Sequence, residues 1–276
     1  MLSIAYVALA IIACYVALAL LLFAFQRKLL YRPLTDRIPL SAAEMPKDVR
    51  EVEFATADGK KIVCWHLPPA LGRPTILYFH GNGGGLIHRR ERFLRCASAG
   101  FGLFMAIYRG YSGSSGAPSE ARIIADALEI YDHVAQTGQP VILYGESLGS
   151  GVAVQVAVRR TPAAVILEAP YTSITDVAQR LYPIMPVRPF LMDRFDSMAV
   201  IGDVRVPILV VHGVRDMTIP VSLGQRLFEA APQPKSLVIL PQAGHNDLYA
   251  HGAWGHIREF VERVVAIKPQ AIDASA

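Results

Sequence analysis

The fold of this 276-residue chain is decided by one short central stretch, Val141-Ile142-Leu143-Tyr144-Gly145-Glu146-Ser147-Leu148-Gly149. Its first four residues are apolar without interruption, as in a strand that is buried on both faces. The next five form the pattern G-x-S-x-G, and Leu148–Arg159 then has the composition of a helix. The two glycines permit a sharp turn between strand and helix, which lifts the Ser147 hydroxyl above the N-terminus of the helix. The stretch therefore predicts a strand–turn–helix unit with Ser147 as a candidate nucleophile; a turn serine without chemistry is the alternative.

Similar apolar runs recur along the chain, at Thr75–Phe79, Leu103–Tyr108, Ala164–Leu167, Ile208–Val211 and Leu237–Leu240. Further helical stretches lie between or after these runs, at His88–Ala99, Pro118–Ala135, Ser222–Ala231 and Trp254–Ile267. Upstream, the alternating segment Val49–Ala57 is joined through Asp58-Gly59 to Lys61–Leu67, which is a hairpin signal. The sequence predicts an α/β fold with a mostly parallel, doubly wound sheet and an N-terminal antiparallel hairpin at its edge.

One connection is too long for this alternation. About 40 residues separate Leu167 from Ile208, and connections of that length are usually functional rather than plain linkers. We expect a small lid insertion at about residues 171–203. Its apolar side chains are candidates for the wall of a substrate pocket, with ordinary core packing as the alternative: Phe190, Leu191, Met192 and Phe195.

The N-terminus differs in composition from the rest of the chain. No charged residue precedes Arg27, and Leu2–Phe25 is apolar apart from Ser3. A helix of about 24 such residues is long enough to cross a bilayer. The sequence predicts a transmembrane anchor at 1–25 and a juxtamembrane linker at 26–44. A cleaved signal peptide, which usually begins with a basic residue, and a lipoprotein signal ending at Cys14 stay open as alternatives.

The charges beside this segment predict its orientation. Arg27, Lys28, Arg32 and Arg37 follow the apolar segment and none precedes it, so the positive-inside rule places the C-terminal part in the cytoplasm. Beyond the linker we expect one domain at 45–267 and a disordered tail at 268–276.

A serine nucleophile needs a base that is oriented by an acid. Of the eight histidines, His245 follows the last apolar run in a short loop, directly after Gly244. It is the expected general base, with a structural histidine as the alternative. Asp216 follows the run Ile208–Val211 in a strand-end turn and is the expected acid. Glu168, at the end of the preceding run, is a rival for that role.

The loop after the first parallel strand reads His80-Gly81-Asn82-Gly83-Gly84-Gly85. Its glycines allow the backbone to approach a substrate closely. We expect the N–H groups of Asn82 and Leu148 to form an oxyanion hole. A phosphate-binding loop is the alternative, but the segment lacks the Lys-Ser/Thr ending of a P-loop and the spacing of a dinucleotide fingerprint. The sequence therefore predicts no cofactor and no metal.

The charge pattern gives no sign of nucleic-acid binding. The net charge is +4, and the clustered arginines Arg89, Arg90, Arg92 and Arg95 are not interleaved with aromatic residues. These arginines are predicted to lie on a solvated helix face.

Taken together, these motifs resemble the α/β-hydrolase superfamily of serine hydrolases over about residues 45–267. The finer pattern is similar to the membrane-anchored hydrolases related to eukaryotic protein depalmitoylases, through five segments: Gln26–Pro33, His80–Asn82, Tyr108–Gly113, Gly145–Gly149 and Gly244–Asp247. The resemblance implies the α/β-hydrolase fold, and the order Ser147, Asp216, His245 is the one in which that fold carries its triad. Ser112 departs from the pattern, because many relatives have glycine after the second tyrosine.

The resulting hypothesis is a membrane-anchored serine hydrolase that cleaves carboxylic esters or thioesters through an acyl-enzyme. Its expected partners are the membrane and a small or lipid-like acyl substrate, with an acylated protein as a further candidate and no nucleic acid. A serine peptidase of aminopeptidase type is the enzymatic alternative. A non-catalytic binding module on a hydrolase fold is the other, and such relatives usually lose the serine, the histidine or the elbow glycines, all of which are present here.

Overall fold

The apolar runs of the sequence form the strands of an eight-stranded sheet in the computed structural model, which describes residues 2–34 and 36–267. The predicted tail, 268–276, lies outside the described residues. The strands of this sheet are β2 (Arg50–Ala55), β3 (Lys61–Leu67), β4 (Thr75–Phe79), β6 (Gly102–Ala106), β7 (Val141–Glu146), β8 (Ala164–Glu168), β9 (Ile208–Gly213) and β10 (Lys235–Leu240). Two further short strands, β1 (Arg32–Pro33) and β5 (Gly83–Gly84), pair with each other in parallel.

The order of strands across the large sheet is β10-β9-β8-β7-β4-β6-β3-β2. Strands β2, β3 and β6 are joined by antiparallel pairing, and every other pairing is parallel. The predicted edge hairpin and parallel sheet are therefore confirmed. All residues of β4, β6, β8 and β9 are buried, which requires cover on both faces of the sheet.

The chain enters the parallel part of the sheet at β4, adds β6 on one side of it, and then crosses to β7 on the other side. The strand order thus reverses at β4 and β7. In open α/β sheets, ligands bind in the crevice outside the carboxyl ends of the strands at such a reversal. The carboxyl end of β7 leads directly into Ser147.

The helices fill the predicted intervals. They are α1 (Leu2–Leu30), α2 (Arg90–Ser98), α3 (Glu120–Ala135), α4 (Leu148–Ala157), α5 (Ile174–Leu181), α6 (Val187–Phe190), α7 (Val221–Ala230) and α8 (Ala253–Ile267). Short 3-10 turns occur at Leu40–Ala42, Leu86–Arg89 and Ile201–Asp203. The long connection predicted as a lid contains α5 and α6.

Helix α1 has 29 residues and ends at Leu30, five residues beyond the predicted anchor. Its segment Ile4–Leu30 is long and apolar enough to cross a membrane. The chain then continues into β1, whose pairing with β5 brings Arg32 and Pro33 beside the glycine loop. The first part of the predicted linker, residues 26–33, thus consists of the end of α1 and the strand β1.

Candidate active site

Ser147 occupies a strained turn between β7 and α4. Its φ of 51° and ψ of −117° lie outside the regions that L-residues readily adopt, and strain of this kind persists only where the surroundings impose it. The two glycines of the motif are required by close packing. A Cβ at Gly145 would overlap the Gly149 carbonyl, and a Cβ at Gly149 would overlap the Phe79 carbonyl at the end of β4.

Three of the predicted residues come together at this turn. The Ser147 hydroxyl lies 3.0 Å from Nε2 of His245, and Nδ1 of His245 lies 2.7 Å from Oδ2 of Asp216. A carboxylate can only accept, so Nδ1 carries the proton and Nε2 is left free to accept the serine proton. This is the geometry of a nucleophile, a base and an orienting acid.

Asp216 is held as an anion. Burial raises the pKa of this carboxyl, but hydrogen bonds from His212 and His245 and from the Ile219 N–H outweigh burial and hold the pKa well below its usual range. The Thr218 and Ile219 N–H groups donate to Oδ1 at 2.8 and 2.7 Å. The acid is therefore charged at neutral pH and fixed in orientation.

Sequence reasoning missed the second histidine on this carboxylate. Nε2 of His212 lies 3.3 Å from Oδ2 of Asp216 and 2.9 Å from the Ile219 carbonyl oxygen, and the ring is fully buried. The only signal in the sequence was the spacing of four residues between His212 and Asp216 across a strand-end turn. That spacing does not show that both side chains turn inward.

Glu168, the rival acid, does not contact His245. Its carboxylate accepts hydrogen bonds from Arg92 at 2.8 and 2.9 Å and from the Tyr144 hydroxyl. Its backbone carbonyl accepts the Ser147 N–H at 2.9 Å. Glu168 thus supports the turn, and the geometry selects Asp216 as the partner of His245.

Asn82 and Leu148 both border the cavity beside Ser147. Leu148 begins α4, so its N–H has no acceptor within the helix. The Asn82 N–H has no acceptor within residues 2–34 and 36–267, while its carbonyl accepts from the Arg32 N–H at 3.2 Å and from the Tyr111 hydroxyl at 2.9 Å. Both predicted donors therefore border the same cavity as Ser147, and within the described residues no loop or turn hydrogen bond occupies their N–H groups.

His80 fixes the start of the glycine loop. Burial and the nearby Arg89 lower the pKa of His80 to about 3, so the ring is neutral at physiological pH. The Tyr108 N–H lies 3.2 Å from Nε2, and the Tyr108 hydroxyl donates to the His80 carbonyl at 2.8 Å. These bonds hold the loop that carries Asn82.

The prediction of a solvated arginine face is wrong for two of the four arginines. Arg90 and Arg95 are half-buried, with side chains that keep 41% and 35% of their accessible area, but the Arg89 and Arg92 side chains retain only 10% and 13%. Arg89 pairs with Glu146 at 3.1 Å, and Arg92 pairs with Glu168 at 2.8 Å and with Glu146 at 3.5 Å. The reason is the helical spacing, which turns residues 89 and 92 toward the carboxyl ends of β7 and β8.

The buried arginines Arg89 and Arg92 also shift the pKa of Glu146, the residue before the nucleophile. Burial raises the pKa of Glu146, but Arg89 and Arg92 outweigh it and lower that pKa to about 2. The Tyr78 hydroxyl donates to the same carboxylate. Arg92 lies against three tyrosine rings, with distances to the centroids of 4.9 Å for Tyr78, 5.3 Å for Tyr144 and 4.3 Å for Tyr249.

A cavity of about 810 Å³ opens above Ser147. One wall is polar and carries the paired charges just described, and the other is apolar and is formed by the C-terminal half of α1 together with the lid. Of the predicted pocket residues, Phe190 and Leu191 line this cavity. Met192 and Phe195 do not, which corrects the prediction. Met192 is 54% exposed on the outer surface of the lid, and Phe195 is fully buried in the core.

Within the described part of the chain, no cluster of three or more His, Cys, Asp or Glu side chains could hold a metal ion. Cys64 and Cys96 are buried and unbridged. The reactive groups that the structure brings into contact at this site are the Ser147 hydroxyl, the His245 imidazole and the Asp216 carboxylate.

The strained serine follows the fifth strand of a doubly wound sheet. It contacts a histidine from a later loop, and that histidine contacts a carboxylate from another. This is the arrangement of the α/β-hydrolase class. The family model "Serine aminopeptidase, S33" matches residues 72–197. The human alpha/beta hydrolase domain-containing protein 17B is 30% identical over 240 residues, which cover 83% of this chain and 81% of the relative. The chain belongs to the alpha/beta hydrolase family.

Other known proteins are similar to this chain. An uncharacterized protein of Mycobacterium tuberculosis H37Rv is 36% identical over 228 residues, covering 80% of this chain and 81% of the relative. The zebrafish lysophosphatidylserine lipase ABHD12 is 35% identical over 222 residues, covering 65% of this chain and 58% of the relative. Among solved structures, a Pyrococcus furiosus esterase shares the fold with a TM-score of 0.67 at 15% identity, covering 85% of this chain and 97% of the esterase.

Proposed function

We propose that this protein is a membrane-anchored serine hydrolase that cleaves carboxylic esters or thioesters. The observation that carries the proposal is the unbroken contact from Asp216 through His245 to Ser147, at the base of a cavity with one apolar wall. The resemblance to depalmitoylase-related hydrolases is in keeping with an acyl substrate, and so is the zebrafish relative named as a lysophosphatidylserine lipase.

The proposed reaction begins when Ser147 Oγ attacks the acyl carbonyl and His245 Nε2 takes the serine proton. The carbonyl oxygen becomes an oxyanion, which the Asn82 and Leu148 N–H groups stabilise. His245 then gives the proton to the departing alcohol or thiol, and an acyl-serine remains. Water repeats the sequence with His245 as base, releasing the carboxylic acid and free Ser147. Asp216 fixes the tautomer of His245 and stabilises its charged form.

The serine peptidase is the second candidate, and the description of the matched family model favours it. An aminopeptidase needs acidic groups that can hold a substrate ammonium. The cavity carboxylates Glu146 and Glu168 are both engaged by arginines, and Glu91 pairs with Arg95 at 2.6 Å. Because these carboxylates are already paired with arginines, they do not offer a free negative charge to a substrate ammonium, and this supports an ester or thioester substrate. Comparing turnover of acyl esters with that of aminoacyl amides on the purified protein separates the two candidates.

The central test uses a fluorophosphonate probe, which labels an activated serine. The full-length protein in detergent should be labelled and should hydrolyse short acyl esters. Ser147→Ala should lose both, with a fall in kcat of at least about 10⁴. Ser114→Ala is a matched control, because that buried serine lies outside the cavity. Labelling that persists in Ser147→Ala contradicts the assignment, and an intact protein without labelling or turnover favours the binding module.

Membrane anchorage through α1 and a cytoplasmic domain are part of the proposal. They rest on the length and composition of α1 and on the four basic residues that follow it. Protease added to intact cells should leave the domain uncut, whereas permeabilised cells should release it. Digestion from outside would overturn the cytoplasmic placement, and N-terminal sequencing that begins after residue 13 would show a processed signal instead of an anchor.

A further inference from the structure

The lid follows helix α1 over a large part of its length. Arg27 forms two hydrogen bonds with the buried Asp193, at 2.8 and 3.1 Å, and Phe23 packs edge-on against Phe190 with centroids 6.2 Å apart. Further toward the N-terminus, the Tyr15 hydroxyl donates to the Ile184 carbonyl at 2.8 Å. The lid segment from 193 back to 184 thus runs along α1 from Arg27 to Tyr15.

The length of this contact fixes how deep the lid must reach. Arg27 and Tyr15 are separated by twelve residues, or about 18 Å along a helix. One leaflet accounts for about 15 Å of hydrocarbon, half of a core of about 30 Å. If α1 crosses the bilayer with Arg27 at the headgroups, Ile184 lies at the level of the acyl chains.

The tip of the lid has the composition that this position requires. Leu181–Val187 contains no charged residue, and Arg180 and Arg188 stand at its two ends. Leu181 and Ile184 are 62% and 74% exposed, and Tyr182, Phe190 and Met192 are also exposed on the lid. Long arginine side chains can extend from such a segment to the headgroup region.

The backbone of the tip is also suited to lipid, which offers no hydrogen-bond donors. Gln179 donates to the carbonyls of Pro183 and Met185, at 3.2 and 3.3 Å. The Tyr182 carbonyl accepts the Met185 N–H at 3.0 Å, and the Ile184 carbonyl accepts from Tyr15. Pro183 and Pro186 have no N–H. The carbonyls of residues 182–185 are therefore satisfied within the chain, as burial in lipid requires, while the Ile184 N–H has no backbone acceptor within the described residues.

The cavity lies between helix α1 and the lid, both of which are apolar there. Its wall on α1 is a single face of the helix, formed by Ala19, Leu22, Phe23, Gln26, Leu29 and Leu30. These residues recur at spacings of three and four over about 16 Å of helix, and Ser147 lines the same cavity. An acyl chain that lies in the leaflet can enter between α1 and the lid without crossing water.

We propose that the lid tip Leu181–Val187 inserts into the bilayer leaflet that the C-terminal half of α1 crosses, and that α1 and the lid together form a lateral entrance for the acyl chain of a membrane-resident ester or thioester. This inference rests on the proposed function, which it extends from any acyl substrate to one drawn from the bilayer. Helix α1 is then a wall of the site as well as an anchor.

The first test measures insertion without reference to catalysis. A tryptophan is placed at the tip by Ile184→Trp in the full-length protein, reconstituted in phosphatidylcholine vesicles whose acyl chains carry bromine, a contact quencher. Leu71→Trp is the control, because Leu71 is 99% exposed in the turn before β4, at the end of the sheet opposite to the carboxyl ends of the parallel strands. The native Trp65 and Trp254 supply the background, which is subtracted using the unsubstituted protein.

We expect at least about a twofold fall in the added fluorescence of Ile184→Trp, and no change in Leu71→Trp. Equal emission of Ile184→Trp with and without bromine overturns the proposal. If that emission instead depends on protein concentration or on an added soluble protein, the tip contacts another protein and the proposal is also overturned.

The second test connects insertion with substrate entry. Ile184 does not line the cavity, so Ile184→Asp should leave fluorophosphonate labelling and the turnover of a soluble short-chain ester unchanged. Because a charge is costly among acyl chains, it should lower the turnover of a long-chain thioester embedded in vesicles by about tenfold or more. Leu71→Asp should lower neither.

Equal loss on both substrates, or no loss on the vesicle-borne one, contradicts the lateral entrance. Failure of the proposed function is distinguishable, since an unlabelled Ser147 leaves the quenching measurement intact.

Discussion

Replacing Arg92 with methionine should destabilise the domain strongly, because it isolates a buried carboxylate. Arg92→Met keeps much of the volume but removes the partner of Glu168, whose side chain is 4% exposed. It also removes one of the two arginines on Glu146 and the cation over three tyrosine rings. Breaking a buried ion pair from one side costs about 3–5 kcal/mol, so the free energy of unfolding should fall by about that amount. For a domain of this size the melting temperature should fall by about 10 °C.

The assay is thermal unfolding of the full-length protein in detergent, followed by near-UV circular dichroism. Arg92→Met/Glu168→Gln is the matched control, because it removes both charges and should restore most of the stability at pH 8. Arg95→Met is a second control at a half-buried arginine of the same helix, which pairs only with the exposed Glu91. A loss below about 1 kcal/mol in Arg92→Met, or a double variant no better than the single one, would refute the reasoning.

Three further predictions follow from individual contacts. Asp216→Asn should lower kcat toward short esters by about 10⁴ in protein that is still folded, because the histidine loses its orienting charge; a fall below tenfold would assign the acid elsewhere. Glu146 has a folded pKa of about 2, lowered from 4.5, so its contribution to stability is present above pH 4.5 and is lost as pH falls toward 2. Glu146→Gln should flatten that part of the stability curve, and an unchanged slope would show that the pairing contributes nothing. Leu191→Ala should raise KM for long-chain but not short-chain esters, whereas Met192→Ala outside the cavity should change neither; equal effects would contradict the observed lining.

Much of the sheet could be predicted from the sequence because its signals are local. Continuous apolar runs such as Val141–Tyr144 report burial on both faces without knowledge of the neighbours. The elbow is also local, since Gly145 and Gly149 are required by the turn and by the helix and strand packed against it. The order of Ser147, Asp216 and His245 along the chain followed from placing each residue at a strand end.

The remaining features depend on which surfaces meet, and the sequence does not record that. The sequence predicts that Arg92 is a solvated helical arginine, but the fold places Glu168 of β8 beside it. The adjacent residues Leu191 and Met192 are both apolar, yet only the first faces the cavity, since lid geometry decides which side of the chain turns inward. The sequence by itself determined the sheet, the serine turn and an apolar helix. Only the tertiary structure decided that this helix forms a wall of the cavity, because that depends on the contacts of Tyr15, Gln26 and Arg27 with a lid more than 150 residues away.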